Sequence, residues 1–154
     1  MYKRILVSVD GSSTSGKGLD EAVKLAKVCN ASLRLIHIVD PIPFTTGYEA
    51  MGRNTGREIA EIEAAAQRLL EEGRQRALAS GATDVDTALV ERSTARISER
   101  IVEHAKSWGA ELIVIGTHGR RGVGRMLLGS DAEQTVRIAP VPVLLVRAPE
   151  EADA

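Results

Sequence analysis

Two hydrophobic rhythms alternate along the chain. Ile5-Leu6-Val7-Ser8-Val9 is a short β-branched run that stops at Asp10-Gly11, which predicts a strand followed by a turn. Leu19, Ala22, Val23 and Ala26 then fall at i, i+3, i+4 and i+7, one face of a helix. Residues 33–39 predict a second strand, stopped by Asp40-Pro41 and Pro43. Residues 40–55 hold two prolines, three threonines and two glycines with no period, which reads as a loop. Ile62, Ala65, Ala66, Leu69 and Leu70 form the apolar stripe of a long charged helix that Ser80-Gly81 ends. The charges from Glu58 to Arg76 read as its solvated face, with pairs four apart such as Arg68 to Glu72. Residues 84–91 predict a weaker third strand. Ile97, Ile101, Ala105 and Trp108 predict a third helix that closes at Gly109, with Trp108 destined for core or interface. Residues 111–116 carry Leu-Ile-Val-Ile, a strand apolar on both faces. A glycine-rich loop over 117–129, a helix over 130–139 and a strand over 141–146 complete the pattern.

Strands apolar on both faces imply helices on both sides of the sheet, the parallel case. Right-handed crossovers then give an open, doubly wound α/β sheet. Ligands in such sheets sit at the carboxyl ends of the strands, where the strand order reverses. A single domain over residues 1–149 is expected, with residues 150–154 as a disordered tail. There are no internal repeats and no low-complexity segments.

Composition narrows the function. At 154 residues, 44% hydrophobic and 27% charged, the chain is ordinary for a soluble domain. Twenty Lys and Arg against twenty-one Asp and Glu leave a net charge of −1, which argues against nucleic acid as a partner. Aromatics at 3% leave little for stacking bases. No apolar run is long enough for membrane insertion, and the one after Lys3-Arg4 is too short for a secretory signal. A cytoplasmic protein is the expectation. Cys29, alone in the chain, makes no internal disulfide and reads as a small core residue or a redox sensor. His37, His104 and His118 lack metal-ligand spacing, and no metal site is expected. His37 reads as a packed strand residue with backbone partners, and His104 as a helix-surface residue.

Two glycine loops compete for one phosphate. Gly11-Ser12-Ser13-Thr14-Ser15-Gly16-Lys17-Gly18 reads G-x4-G-K-G, but a P-loop needs Ser or Thr after the lysine to hold magnesium. Gly18 stands there instead, and Asp40 as a second magnesium carboxylate has no special signal. Ser12–Ser15 read better as N-cap oxygens for the first helix. The second loop starts where an apolar strand ends and finishes where a helix begins. Five of its fifteen residues from Gly116 to Ser130 are glycine, and Arg120, Arg121 and Arg125 add positive charge. Ser130 opens a helix whose free amides attract phosphate. Ser130-Asp131-Ala132-Glu133 also reads as a capping box that satisfies the same amides without a ligand.

Gly116, Gly119, Gly129 and Ser130 match G-x2-G-x9-G-[ST], and on this spacing the chain resembles the nucleotide-binding branch of the universal stress protein family. Residues 3–12, 35–39 and 139–147 resemble that family's first, second and closing strands. The resemblance implies a Rossmann-like five-stranded parallel sheet in the order 3-2-1-4-5, binding ATP or AMP across strands 1 and 4, with Mg2+ or Mn2+ accompanying a triphosphate. Ser8, Val9 and Asp10 would then face the adenosine, Asp10 near the ribose hydroxyls or a metal, and Ile38 would offer backbone groups to the adenine edge. Ile115 and Gly116 would flank the ribose. His118, Gly119, Gly129, Ser130, Asp131 and Ala132 would line the phosphates, with Arg120 beside them; His118 reads equally as a loop filler. The resemblance also implies a homodimer through the last strand, residues 141–146, where the alternative is burial within the monomer.

The expected function is regulatory. A bound nucleotide orders the 117–129 loop, and a partner protein or transporter reads the ordered state. Two rivals are a slow ATP hydrolase or phosphate-transfer enzyme using Asp10 or His118, and a nucleotide-free interaction module. No general base with a supporting partner is visible, so no catalytic residue is assigned.

Overall fold

Both rhythms fold as they read. The computed structural model describes residues 1–40, 55–118 and 128–148. Along the chain come β1 (Arg4–Ser8), α1 (Ser13–Cys29), β2 (Ser32–Val39), α2 (Thr55–Ala79) and β3 (Val85–Glu91). Then follow α3 (Ile97–Trp108), β4 (Leu112–Gly116), α4 (Ser130–Ile138) and β5 (Val143–Val146). The strands form one sheet in the order β3-β2-β1-β4-β5, and every pairing is parallel. The parallel direction is the one expected from the strand pattern, and the order is the one that the family resemblance implies.

Alternation along the strands splits the core in two. Ile5, Val7, Leu33, Leu35, Leu112 and Val114 point to one face, where Leu19, Ala22, Val23 and Ala26 of α1 and Leu70 and Ala77 of α2 cover them. Leu6, Ile36, Ile113 and Ile115 point to the other, against Ile101 and Ala105 of α3 and Ala132 of α4. All five residues of β4 are buried, the continuous apolar run that only a central strand with helices on both sides needs.

Helix ends follow local chemistry. Ser12 Oγ accepts the Ser15 amide at 3.1 Å, capping α1. Asn30, in the left-handed region at φ 53, ends that helix, and Gly109 at φ 73 ends α3 as expected. Four expectations need correction. α4 stops at Ile138 rather than 139, because the residue before Pro140 is biased out of the helical region. β5 begins at Val143 rather than 141, because Pro142 has no N–H to give the ladder, although its carbonyl still accepts from Ile113 at 3.0 Å. On α2 the ion pairs are Arg57–Glu61 and Arg74–Glu71 rather than Arg68–Glu72. His104 is not a surface residue: it is half-buried on α3, and its Nε2 is enclosed without a hydrogen-bond partner.

No helix among the described residues is long and apolar enough to cross a membrane. Cys29 is partly buried against the α1–α2 side of the core, as its small-hydrophobe reading expects. Trp108 packs at the edge of the other core, with the Arg34 guanidinium 4.7 Å above its ring.

Candidate functional site

Strand order reverses between β1 and β4, because β1 runs on to β2 on one side and pairs with β4 on the other. Chain leaving these two strands must turn in opposite directions, which opens a crevice at their carboxyl ends. A cleft of ≈ 1070 Å³ lies there. Ser8, Val9 and Asp10 form its floor at the end of β1, and Ile38 its wall at the end of β2. Ile115 and Gly116 reach it from β4, followed by His118. Gly129, Ser130, Asp131 and Ala132 close it at the start of α4. One cleft therefore gathers the sequence-selected positions that are described. Gly119 and Arg120, with Arg121 and Arg125, lie outside the described residues, as does most of the 117–129 loop.

Short-range hydrogen bonds hold the floor. The Ser12 amide donates to Asp10 Oδ1 at 2.9 Å, and the Asp10 amide reaches Ser15 Oγ at 3.3 Å. His37 Nδ1 lies 2.8 Å from the Val9 carbonyl; a carbonyl only accepts, so Nδ1 carries the proton. This bond ties the end of β1 to β2, the backbone partner expected of a packed strand histidine. The G-x4-G-K-G stretch forms no phosphate loop. α1 begins at Ser13, so Gly16 to Gly18 are already helical, and Lys17 is exposed away from the cleft. Asp40 lies 3.5 Å from the Arg92 guanidinium.

Two pattern glycines sit where chains press together. A Cβ on Gly116 would lie 2.9 Å from Thr14 Cγ2 and 3.1 Å from the Thr14 carbonyl carbon, so only glycine lets the start of α1 rest on β4. A Cβ on Gly129 would lie 2.9 Å from the Thr117 carbonyl oxygen, which also accepts the Gly129 amide at 2.7 Å. That bond brings the start of α4 back over the end of β4.

The capping box does not form at α4. Gly129 is the N-cap, without a side-chain cap bond, and Ser130 is already the first helical residue. The first intrahelical bond runs from the Glu133 amide to the Gly129 carbonyl at 2.9 Å. The amides of Ser130, Asp131 and Ala132 are therefore left without intrahelical acceptors at the wall of the cleft. Asp131 keeps a solvent-facing edge, yet partial burial raises its carboxyl above the usual range; Arg92 draws it down and Asp10 pushes it further up. His118 Nδ1 lies 3.1 Å from Thr117 Oγ1, while its Nε2 is enclosed with no partner.

Sequence reading missed the far wall. Arg92 and Arg96 at the turn into α3, buried Ser98 on α3, and Ile62, Ala65 and Leu69 on α2 also line the cleft. Arg92 Nε donates to the Ala95 carbonyl at 3.3 Å, which aims the guanidinium back toward Asp40. The available signal was position: the end of β3 must open on the same side of a parallel sheet as the ends of β1 and β2. Among the described residues no group of three or more His, Cys, Asp and Glu is placed to hold a metal ion.

Residues 1–147 match the sequence model of the universal stress protein family. The chain is 33% identical over 152 residues to the universal stress protein YxiE of Bacillus subtilis, covering 96% of this chain and 100% of that one. Its fold is similar to that of a universal stress protein solved in complex with cAMP, with a TM-score of 0.71 and 27% identity over 96% of this chain and 98% of the other. It is likewise similar to a universal stress protein from Archaeoglobus fulgidus in complex with dAMP, with a TM-score of 0.68 and 25% identity over 94% and 98% of the two chains.

Proposed function

The chain belongs to the universal stress protein family, and from that premise we propose that its cleft binds an adenine nucleotide, ATP or AMP. The observation that carries this reading is the uncapped start of α4. Three open amides and the positive end of a helix dipole face a cleft at the point where the strand order reverses. Relatives in complex with cAMP and dAMP support the same chemistry. In this reading Ser8, Val9 and Asp10 face the adenosine, Ile38 offers its backbone to the adenine edge, and Ile115 and Gly116 flank the ribose. Ser130, Asp131, Ala132 and Gly129 receive the phosphates, with Gly119 and Arg120 completing the pattern. His118 Nε2, enclosed and unpartnered, lies at the same end. Asp10 is the carboxylate of this set suited to a Mg2+ or Mn2+ ion carried in with a triphosphate.

The role that follows is regulatory, with the nucleotide-bound state read by a partner protein. The protein assembles as a homodimer through the β5 edge, and its setting is the cytoplasm. Titration calorimetry with AMP and ATP tests the binding. Saturable binding is expected, lost in Gly129→Val and kept in Lys17→Ala, with circular dichroism to check that each variant folds. Binding that survives Gly129→Val in a folded protein, or that disappears in Lys17→Ala, contradicts the assignment.

A further inference from the structure

His37 ends one ladder and opens an edge. The Val9 amide donates to the Ile36 carbonyl at 2.9 Å, and the Arg92 amide to the Val39 carbonyl at 2.8 Å. Backbone groups along β2 therefore face β1 at Ile36 and Ile38, and face β3 at Val39. A further rung toward β1 would join the Ile38 amide to the Val9 carbonyl. His37 Nδ1 takes that carbonyl instead, at 2.8 Å, and among the described residues the β1–β2 ladder stops there. The Ile38 amide and carbonyl are thereby left on the open side of the strand, beside a cleft that His37 and Ile38 both line.

Since Nδ1 carries the proton of the His37 ring, Nε2 is a pure acceptor in the neutral imidazole. His104 and His118 each have an enclosed Nε2 without a partner. His37 Nε2 is not enclosed in that way, and it makes no hydrogen bond among the described residues. An open acceptor therefore stands next to a second one, the Ile38 carbonyl, on the edge assigned to adenine. The exocyclic amine of adenine has two N–H groups, one for each acceptor. Guanine and hypoxanthine carry a carbonyl oxygen at that position, which can satisfy neither. Once the base displaces water, acceptors left facing an acceptor cost affinity, because none of them recovers a donor.

Resting on the adenine-nucleotide reading, we propose that His37 Nε2 accepts a hydrogen bond from the exocyclic amine of the base, which makes the cleft specific for aminopurine over oxopurine nucleotides. The Ile38 carbonyl takes one amine hydrogen and the imidazole takes the other. The bond to the Val9 carbonyl fixes the tautomer, so the neutral ring has no N–H to offer a purine carbonyl. His37 is thus a specificity-determining residue as well as the tie between β1 and β2.

Calorimetry on the full chain at pH 8, where imidazole is neutral, compares three probes in wild type and His37→Phe. They are AMP, inosine monophosphate, and purine riboside monophosphate, which lacks the amine. Wild type is expected to favour AMP over each of the others by at least about tenfold. His37→Phe should shrink both ratios by about fivefold or more, while a merely structural loss weakens all three ligands alike. Imidazole nitrogen NMR of the wild-type protein gives a second reading that needs no variant. The Nε2 resonance should shift as a nitrogen accepting a hydrogen bond does when AMP saturates the protein, and stay in place with purine riboside monophosphate. Unchanged ratios in a folded His37→Phe, or an Nε2 resonance that bound AMP leaves unmoved, overturn the inference and leave the nucleotide reading standing. Failure of wild type to bind AMP or ATP removes the nucleotide reading and the inference with it.

Discussion

At the residue scale, two glycines do structural work that a phosphate pattern alone does not reveal. Gly116 was chosen from the sequence for closeness to a ligand, yet its missing Cβ is first required by α1, 2.9 Å away at Thr14 Cγ2. Gly116→Ala should therefore cost about 1–3 kcal/mol of stability in urea unfolding, before any ligand is added. Gly56→Ala is the contrast, since a Cβ there meets nothing within 4 Å and α2 gains helix propensity; it should be neutral or stabilising by up to about 1 kcal/mol. His104 makes a prediction in pH. Burial, and then the Arg34 charge, lower its pKa from 6.5, with Asp86 opposing. Above that value both folded and unfolded histidines are neutral and pH changes nothing through this group. As pH falls below it the unfolded chain takes up the proton first, so stability falls until the folded histidine titrates. Unfolding followed from pH 7.5 to 5 should show this loss in wild type and a flatter profile in His104→Gln. An equal slope in both would contradict the burial of that ring. The spacing carried the signal, since His104 falls seven residues after Ile97, three after Ile101 and four before Trp108, on the same helical face; the charges of Arg34 and Asp86 that act on it come from distant chain.

Among elements, those that the pattern made plain were those with one strong signal each. β4 was legible because four apolar residues in a row need two covered faces, and α1 because Ser12 caps a clear periodic stripe. The start of α4 was misread because the Ser130–Glu133 spacing fits a capping box in one dimension. In three dimensions the chain arrives from Thr117 with Gly129 in the cap position, so the serine is already helical. The last strand shows a different limit. Its position at the sheet edge was expected and is observed, while the proposed pairing with a second copy is a question of two chains. The Pro142 and Val146 carbonyls bond to β4, so alternation turns the Val143 and Leu145 backbone groups outward. Val143, Leu144 and Leu145 are only partly covered, an apolar edge that natural sheets seldom leave bare. Val143→Pro removes an outward amide without touching a bond to β4. Sedimentation should show a dimer for wild type and a monomer for this variant at the same concentration; an unchanged dimer would move the interface elsewhere.

Across the whole molecule, the site follows from topology more than from any motif. A sheet ordered β3-β2-β1-β4-β5 opens only where β1 and β4 diverge, and the cleft lies there whatever side chains surround it. Strand rhythm made the carboxyl ends legible as the binding side, and the family resemblance supplied the order that puts the crevice between strands 1 and 4. The far wall at Arg92, Arg96 and Ser98 was not legible, because it depends on how β3 and α3 come round to the same end of the sheet. The central claim is that the open amides of α4 hold the phosphate of an adenine nucleotide. The most direct measurement is an amide-resolved NMR titration of the full-length protein with AMP. The account predicts saturable shifts concentrated at Ser130, Asp131 and Ala132, with Val9, Asp10, Ile38 and Gly116 moving in step at one dissociation constant. Saturation that leaves the α4 amides unmoved, or shifts confined to another surface, would contradict it.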